Sequence, residues 1–214
     1  MIELHSWTTS NGRKVSIALE ELGLPYKVFP IDINKDEQFA PDFLKIAPNN
    51  RIPAIVDTDT GIALMESGAI LIYLAEKTGK LLPRDPALRY QSIQWLMFQM
   101  GGIGPMFGQV GFFHKFAGKE IEDKRPRDRY VNESKRLLGV LDKHLEGRSW
   151  MMGDQYTIAD IAIFPWVRNL VGFYEAGELV GFKTFLNVQR VLHAFLSRPA
   201  VEAGLNIPPT PPKN

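Results

Sequence analysis

Apolar and polar positions in the first part of the chain change period over short distances, the signature of alternating strands and helices. Ile2 and Leu4 alternate with Glu3 and His5, predicting a strand. After the polar turn Thr8-Thr9-Ser10-Asn11-Gly12, the positions Val15, Ala18, Leu19 and Leu22 follow at helical spacing, with Gly23 as a C-terminal stop. Alternation returns from Tyr26 to Ile33, completing a βαβ unit, and again from Ile52 to Val56. The turn-rich Asp57 to Gly61 then predicts a hairpin into Ile62-Ala63-Leu64-Met65, followed by a helix from Ser67 to Gly79. The order is β-α-β, an irregular loop, then β-β-α.

Leu82-Pro83-Arg84-Asp85-Pro86 interrupts this pattern, because two prolines cannot continue a helix, and marks a boundary. Beyond it the spacing is helical. Leu88 to Met100 leads into Gly101-Gly102-Ile103-Gly104-Pro105, read as a flexible kink, then further helix to Phe116, and a helix carrying Val131, Ser134, Leu138, Leu141 and Leu145. Thr157 and Asp160 have the spacing of a capping box, with Tyr156 and Ile161 placed as a hydrophobic staple. A last helix is predicted over Phe185 to Leu196, and a polyproline tail at the end. The expected division is a first domain over 1–81, a linker over 82–86, an all-helical domain over 87–207 and a proline-rich tail over 208–214.

Composition narrows the chemistry. The 214 residues are 45% hydrophobic and 23% charged, which suits a globular protein and excludes disorder as the main state. Net charge is +1, too balanced to point to nucleic acid or an anionic membrane as partner. The start lacks the features of a secretory signal, and apolar runs such as Gly68 to Ala75 fall short of a membrane span, so a cytoplasmic location is expected. There is no cysteine, which removes thiolate metal sites and every mechanism with a protein sulfur nucleophile. The four histidines lack ligand spacing, so no metal site is expected.

Three segments carry candidate chemistry. The turn from Thr8 to Asn11 follows the first strand, where open α/β sheets place ligands, and its hydroxyls and amide could favour a bound thiolate. A plain capping turn, with Ser10 or Asn11 as N-cap, accounts for the same residues. Ile52-Pro53 stands at the mouth of a strand; a cis bond would present the backbone of Ile52 to a ligand, but spacing alone favours an ordinary trans proline. Glu66-Ser67 opens a helix whose free N–H groups could hold a carboxylate, or Ser67 could simply cap it. The aromatic set Trp95, Phe98, Phe107, Phe112, Phe113 and Phe116 reads most simply as core, though some members could line an apolar pocket beside the first domain.

These segments together resemble the cytosolic glutathione transferases. The carriers are Ile52-Pro53-Ala54-Ile55, similar to the family's cis-proline segment, Met65-Glu66-Ser67-Gly68-Ala69-Ile70, similar to its glutathione-carboxylate motif, and the capping box Tyr156-Thr157-Ile158-Ala159-Asp160. Within the family, Thr8 to Lys14, Ala47 to Pro53, and Gln94-Trp95 followed by Gly101 to Met106 look like the bacterial nu class, related to the yeast nitrogen-regulating prion protein. That class carries a proline where this chain has Ser10. The resemblance implies an α/β thioredoxin-like N-terminal domain and an all-α C-terminal domain.

It also implies roles. Thr9 and Asn11 would face the glutathione sulfur, Ile52 and Pro53 would hold the cysteinyl part, and Glu66 and Ser67 the γ-glutamyl end. Gln38 and Asn50 would hold the glycyl end, and Arg129 would reach in from the second subunit of a homodimer. The implied activity is glutathione-dependent disulfide reduction without a protein cysteine, with one or two glutathione molecules, or oxidised glutathione, per subunit. Conjugation of glutathione to hydrophobic electrophiles and a non-catalytic glutathione-binding regulatory module are the alternatives.

Overall fold

A computed structural model describes residues 1–209; the remainder of the expected tail, 210–214, lies outside the described residues. The chain forms two compact units, Met1–Leu82 together with the stretch from Ser197 onward, and Pro83–Leu196.

The first unit is built on a sheet of four strands in the order β2-β1-β3-β4. Strand β1 (Ile2–Ser6) alternates as its sequence does, with Ile2, Leu4 and Ser6 buried. Helix α1 (Ser10–Leu22) ends at Gly23, whose φ of +64° lets its N–H turn back to the carbonyls of Leu19 and Glu20. Strand β2 (Tyr26–Pro30) lies parallel to β1, the arrangement that a helical crossover permits. It is shorter than the expected 26–33 because Asp32 accepts from the Asn34 N–H and opens a short 3-10 turn instead.

The segment read as an irregular loop contains a second such turn, Glu37–Phe39, and helix α2 (Pro41–Ile46). Phe43 and Ala47 pack with Ala54 into a small core of their own. Strands β3 (Ala54–Asp57) and β4 (Ile62–Met65) form the predicted hairpin, and β3 is antiparallel to β1. Helix α3 (Ser67–Thr78) packs against α1 and stops at Gly79.

In the second unit, α4 (Pro86–Phe98) continues through a π-helical turn, Gln99–Ile103, into α5 (Gly104–His114). The glycine segment expected to be flexible is therefore helical. A Cβ at Gly104 would lie 2.7 Å from the Gln99 side-chain nitrogen, the far end of a flexible side chain, so a larger residue there would need that side chain to shift. Helices α6 (Arg125–His144), α7 (Ile158–Arg168) and α8 (Leu186–Leu196) follow. The capping box is formed: Asp160 accepts from the Thr157 N–H at 2.9 Å, and Thr157 accepts from the Ala159 N–H at 3.3 Å. The aromatic set is core only in part. Phe107 is fully buried, whereas Phe112 on α5 and Phe116, just beyond its end, are 43% and 45% exposed.

One further helix, α9 (Pro199–Leu205), was not visible in the spacing. The sequence had continued the helical domain to 207, whereas the structure groups α9 with the first unit, packed on α1. Ser16 Oγ donates to the Gly204 carbonyl at 2.6 Å, and Arg13 Nε to the Leu205 carbonyl at 3.2 Å. Gly204 comes so near α1 that a Cβ would stand 2.6 Å from the Ile17 backbone.

Candidate functional site

Strand register places the three candidate segments along one edge of the sheet. His5 pairs with Ala54, and Ala54 with Met65, so the C-terminal end of β1, the start of β3 and the end of β4 form one row. The Thr8–Asn11 turn leaves the first of these, Ile52-Pro53 enters the second, and Glu66-Ser67 leaves the third. Because β2 is parallel to β1, with Ser6 opposite Pro30, the segment leading to Gln38 leaves from the same edge.

The N-cap of α1 is Thr9 itself, one residue before the positions that the sequence favoured. Its backbone is extended, and its Oγ1 accepts from the Gly12 N–H at 3.1 Å. A hydroxyl that accepts in this way keeps its own hydrogen to donate outward, toward a thiolate seated at a positive helix end. Gly12 makes the tight turn possible, since a Cβ there would fall 2.2 Å from the Trp7 carbonyl oxygen. Ser10, the first helical residue, is 3% exposed and its hydroxyl has no hydrogen-bond partner among the described residues. Asn11 is half-buried one position further on.

The Ile52–Pro53 bond is cis, which corrects the trans geometry that spacing alone favoured. Ile52 precedes β3 and so lies beyond the ladder that ends at Ala54. Asn50 sits at a φ of +46°, in the left-handed region where Asn is tolerated best after Gly. Gln38 is buried; its Nε2 donates weakly to Asp36 at 3.4 Å, and its Oε1 has no partner among the described residues. A buried amide oxygen left in this state is uncommon and suits a group completed by a ligand.

Glu66, not Ser67, occupies the N-cap of α3. It holds a φ of +69° and makes no side-chain cap, so its carboxylate is turned out to the surface. Strain of this kind in a non-glycine residue collects at binding sites. Ser67 is the first helical residue and is buried, with its hydroxyl accepting a hydrogen bond at 3.2 Å from Lys14 Nζ.

Lys14 was missed by the sequence reading. It is fully buried, although lysine is rarely so. Burial pushes its amine down to about 7, against the opposing pull of Glu66. The available signal was its position four residues before Ala18, on the apolar stripe of α1.

Arg129 lies exposed on α6 in the second unit, one turn from Glu133, whose carboxyl it helps to hold down. Among the described residues no group of three or more His, Asp or Glu could hold a metal ion, and no helix is long and apolar enough to cross a membrane.

The chain matches the family model for the glutathione S-transferase N-terminal domain over residues 9–77 and the model for the C-terminal domain over 105–199. It is 48% identical over 173 residues to the disulfide-bond oxidoreductase YfcG of Escherichia coli, covering 78% of this chain and 80% of that protein. Among solved structures it is similar to a glutathione transferase from Pseudomonas putida with one glutathione disulfide bound per subunit. That likeness has a TM-score of 0.95 and 65% identity, covering 97% of this chain and 91% of the other. A family member from Pseudomonas fluorescens with two glutathione bound matches with the same TM-score and identity, over 97% and 93%. From its matched domains and its fold alike, this chain belongs to the glutathione S-transferase family.

Proposed function

We propose that the protein is a glutathione-dependent disulfide-bond oxidoreductase. The observation that carries this reading is the common sheet edge, where a capped helix start, an unladdered Ile52 and a strained Glu66 beside Ser67 meet in a chain with no cysteine. The sulfur chemistry then belongs entirely to the substrate. The E. coli relative named as a disulfide-bond oxidoreductase, and the relatives crystallised with glutathione disulfide or two glutathione molecules, support it.

Thr9 and Asn11 stabilise the thiolate of one glutathione by donating to its sulfur, helped by the α1 N-terminus. That thiolate attacks a disulfide, forming a mixed disulfide and releasing one thiol. A second glutathione thiolate then attacks the glutathione sulfur, so that oxidised glutathione and the second substrate thiol leave. The backbone of Ile52, beside Pro53, aligns the cysteinyl part. Glu66 takes the γ-glutamyl amine and Ser67 its carboxylate, while Gln38 and Asn50 hold the glycyl end. Holding both sulfurs in line lowers the barrier by several kcal/mol, about the scale available from orientation.

The finer assignment is a cytoplasmic homodimer of the bacterial nu class, with the partner subunit's Arg129 adding to the glutathione site. The deciding assay is reduction of hydroxyethyl disulfide by glutathione. Thr9→Ala is expected to weaken turnover without abolishing it, and Asn11→Ala to be at least as damaging. Full activity in both variants would refute the sulfur site.

A further inference from the structure

His5 is a polar residue set into an aromatic layer. Its imidazole stacks on Phe29 of β2, with ring centroids 4.8 Å apart, and lies 6.3 Å from the ring of Phe43 of α2. Its Nε2 is buried and has no hydrogen-bond partner among the described residues. Alternation puts His5 and its cross-strand neighbour Ala54 on the face of the sheet that α2 covers, opposite Ile2, Leu4 and Ser6. The groups around it give a positive charge little to bond with. On β1 the same face carries Glu3, which favours protonation through space without bonding Nε2. On β2 it carries Lys27, whose Nζ lies 4.8 Å from the Phe29 ring. Asp42 and Lys45 of α2 are exposed and paired with each other at 2.7 Å. In the turn before α2, Asp36 accepts from Gln38 and Glu37 from the Asp32 N–H. On β3 and β4 this face carries Ala54, Val56, Ala63 and Met65, while Asp57 is on the other face, bonded to Tyr73 and Lys77. Burial outweighs the pull of Glu3 and lowers the proton affinity of the imidazole.

The element beside this imidazole is one that packing alone keeps in place. Helix α2 has six residues, too few to persist unaided, and Phe43 and Ala47 hold it against Ala54. Backbone bonds run without a break from the turn of Gln38 through α2 to Asn50. The N–H groups of Ala40, Leu44, Ala47 and Asn50 donate to the carbonyls of Glu37, Ala40, Phe43 and Ala47 at 2.8 to 3.1 Å. A shift of α2 therefore moves Gln38 and Asn50 together. We propose that His5 is a proton-operated latch on the glycyl end of the glutathione site. Neutral, it lets α2 seat on the sheet with Gln38 and Asn50 in place; protonated, it sets a poorly compensated charge beside Phe43, α2 loosens, and the hold on the glycyl group weakens. This rests on the assignment of the glycyl end to Gln38 and Asn50. A ligand that prefers the neutral form must, by linkage, depress the proton affinity of His5 further. Its own affinity falls as pH drops through the His5 value of the free protein and levels out below that of the complex.

The test compares S-methylglutathione with S-methyl-γ-glutamylcysteine, which lacks the glycine; neither has a thiol to titrate. Calorimetry with each from pH 7.5 to 5.5 gives the worth of the glycyl group as the ratio of the two affinities. Titration near the shared γ-glutamyl end, Lys14 included, cancels in that ratio. In wild type the ratio is expected to be about tenfold at pH 7.5 and to shrink to about threefold at pH 5.5. His5→Phe, which keeps a ring in the stack but cannot titrate, is expected to hold its pH 7.5 ratio throughout. A wild-type ratio that does not change with pH, or one that changes equally in His5→Phe, overturns the latch. A ratio of one in wild type at pH 7.5 overturns the glycyl assignment beneath it instead. A measurement on wild type stands apart from any packing defect in the variant: the pKa of His5, followed through its 13Cε1 resonance, is expected to be lower by about 0.5 with S-methylglutathione than with the glycine-free ligand. The same value with both overturns the proposal.

Discussion

Lys77 of α3 places its ammonium 2.7 Å from Oδ2 of Asp57, the last residue of β3, whose carboxylate is fully buried. Tyr73 donates to the same oxygen, and the Asp59 N–H donates to Oδ1. The hairpin is thereby fastened to the helix that Glu66 and Ser67 begin.

Burial alone would raise the Asp57 carboxyl, but the bonds from Lys77, Tyr73 and the Asp59 N–H outweigh it and hold the group at about 2. The folded value is depressed, so this stabilisation is present above the unfolded carboxyl range near pH 4 and is lost as pH falls toward 2. Asp57→Asn is expected to cost about 2 kcal/mol at neutral pH and to flatten the acid limb of stability. Urea unfolding from pH 2.5 to 7, of about that span, checks both; an unchanged acid limb would remove Asp57 as its source.

Capping and chemistry coincide at Thr9, and substitution separates them. Thr9→Asp retains an oxygen for the Gly12 N–H, so thermal stability should stay within about 1 kcal/mol of wild type. Its charge would repel a glutathione thiolate, so turnover should fall by more than about tenfold. Thr9→Ser should preserve both. Loss of stability in the aspartate variant, with activity retained, would reverse these assignments.

Gly12→Ala is expected to be among the most damaging small changes in the chain. Its new methyl would meet the Trp7 carbonyl oxygen and the Ser6 hydroxyl, and the backbone on one side cannot swing away. Destabilisation of roughly 1–3 kcal/mol is expected from overpacking, together with loss of glutathione affinity as the Thr9 turn is displaced. Thermal melts with and without glutathione measure the two effects separately.

Gly204→Val tests the docking of α9. The added side chain would press into the Ile17 backbone and part the Ser16 and Arg13 bonds to the α9 carbonyls. Stability should drop by more than about 2 kcal/mol. Arg198→Ala, which breaks a two-point pairing with Glu21 at 2.6 and 2.8 Å, should cost less, about 0.5–1 kcal/mol, because the arginine is partly exposed. Proteolysis near residue 198 would register both.

Strands and long helices were legible because period is a local property: β1, the hairpin and α1 stand where alternation and spacing put them. Short helices were not. The six residues of α2 and the seven of α9 complete too few turns to reveal a period, and α9 is held by packing on α1, far away in sequence. The helix starts at the site were each displaced by one residue, since Thr9 and Glu66 compete for caps with equally plausible polar neighbours. Lys14 was legible only as a charge on an apolar stripe; its bond to Ser67 spans 53 residues and exists only in three dimensions.

The association of α9 with α1 also constrains how the protein is made. The Thr9 turn and its sheet are translated before the second unit, yet the helix that braces α1 comes from residues 199–205, after the whole second unit has been synthesised. A ribosome-bound chain therefore exposes the flank of α1 until residues 199–205 have been made, and a deletion that removes α9 would leave that flank bare. The unit that carries the Thr9 turn is thus completed only after the other unit has been synthesised.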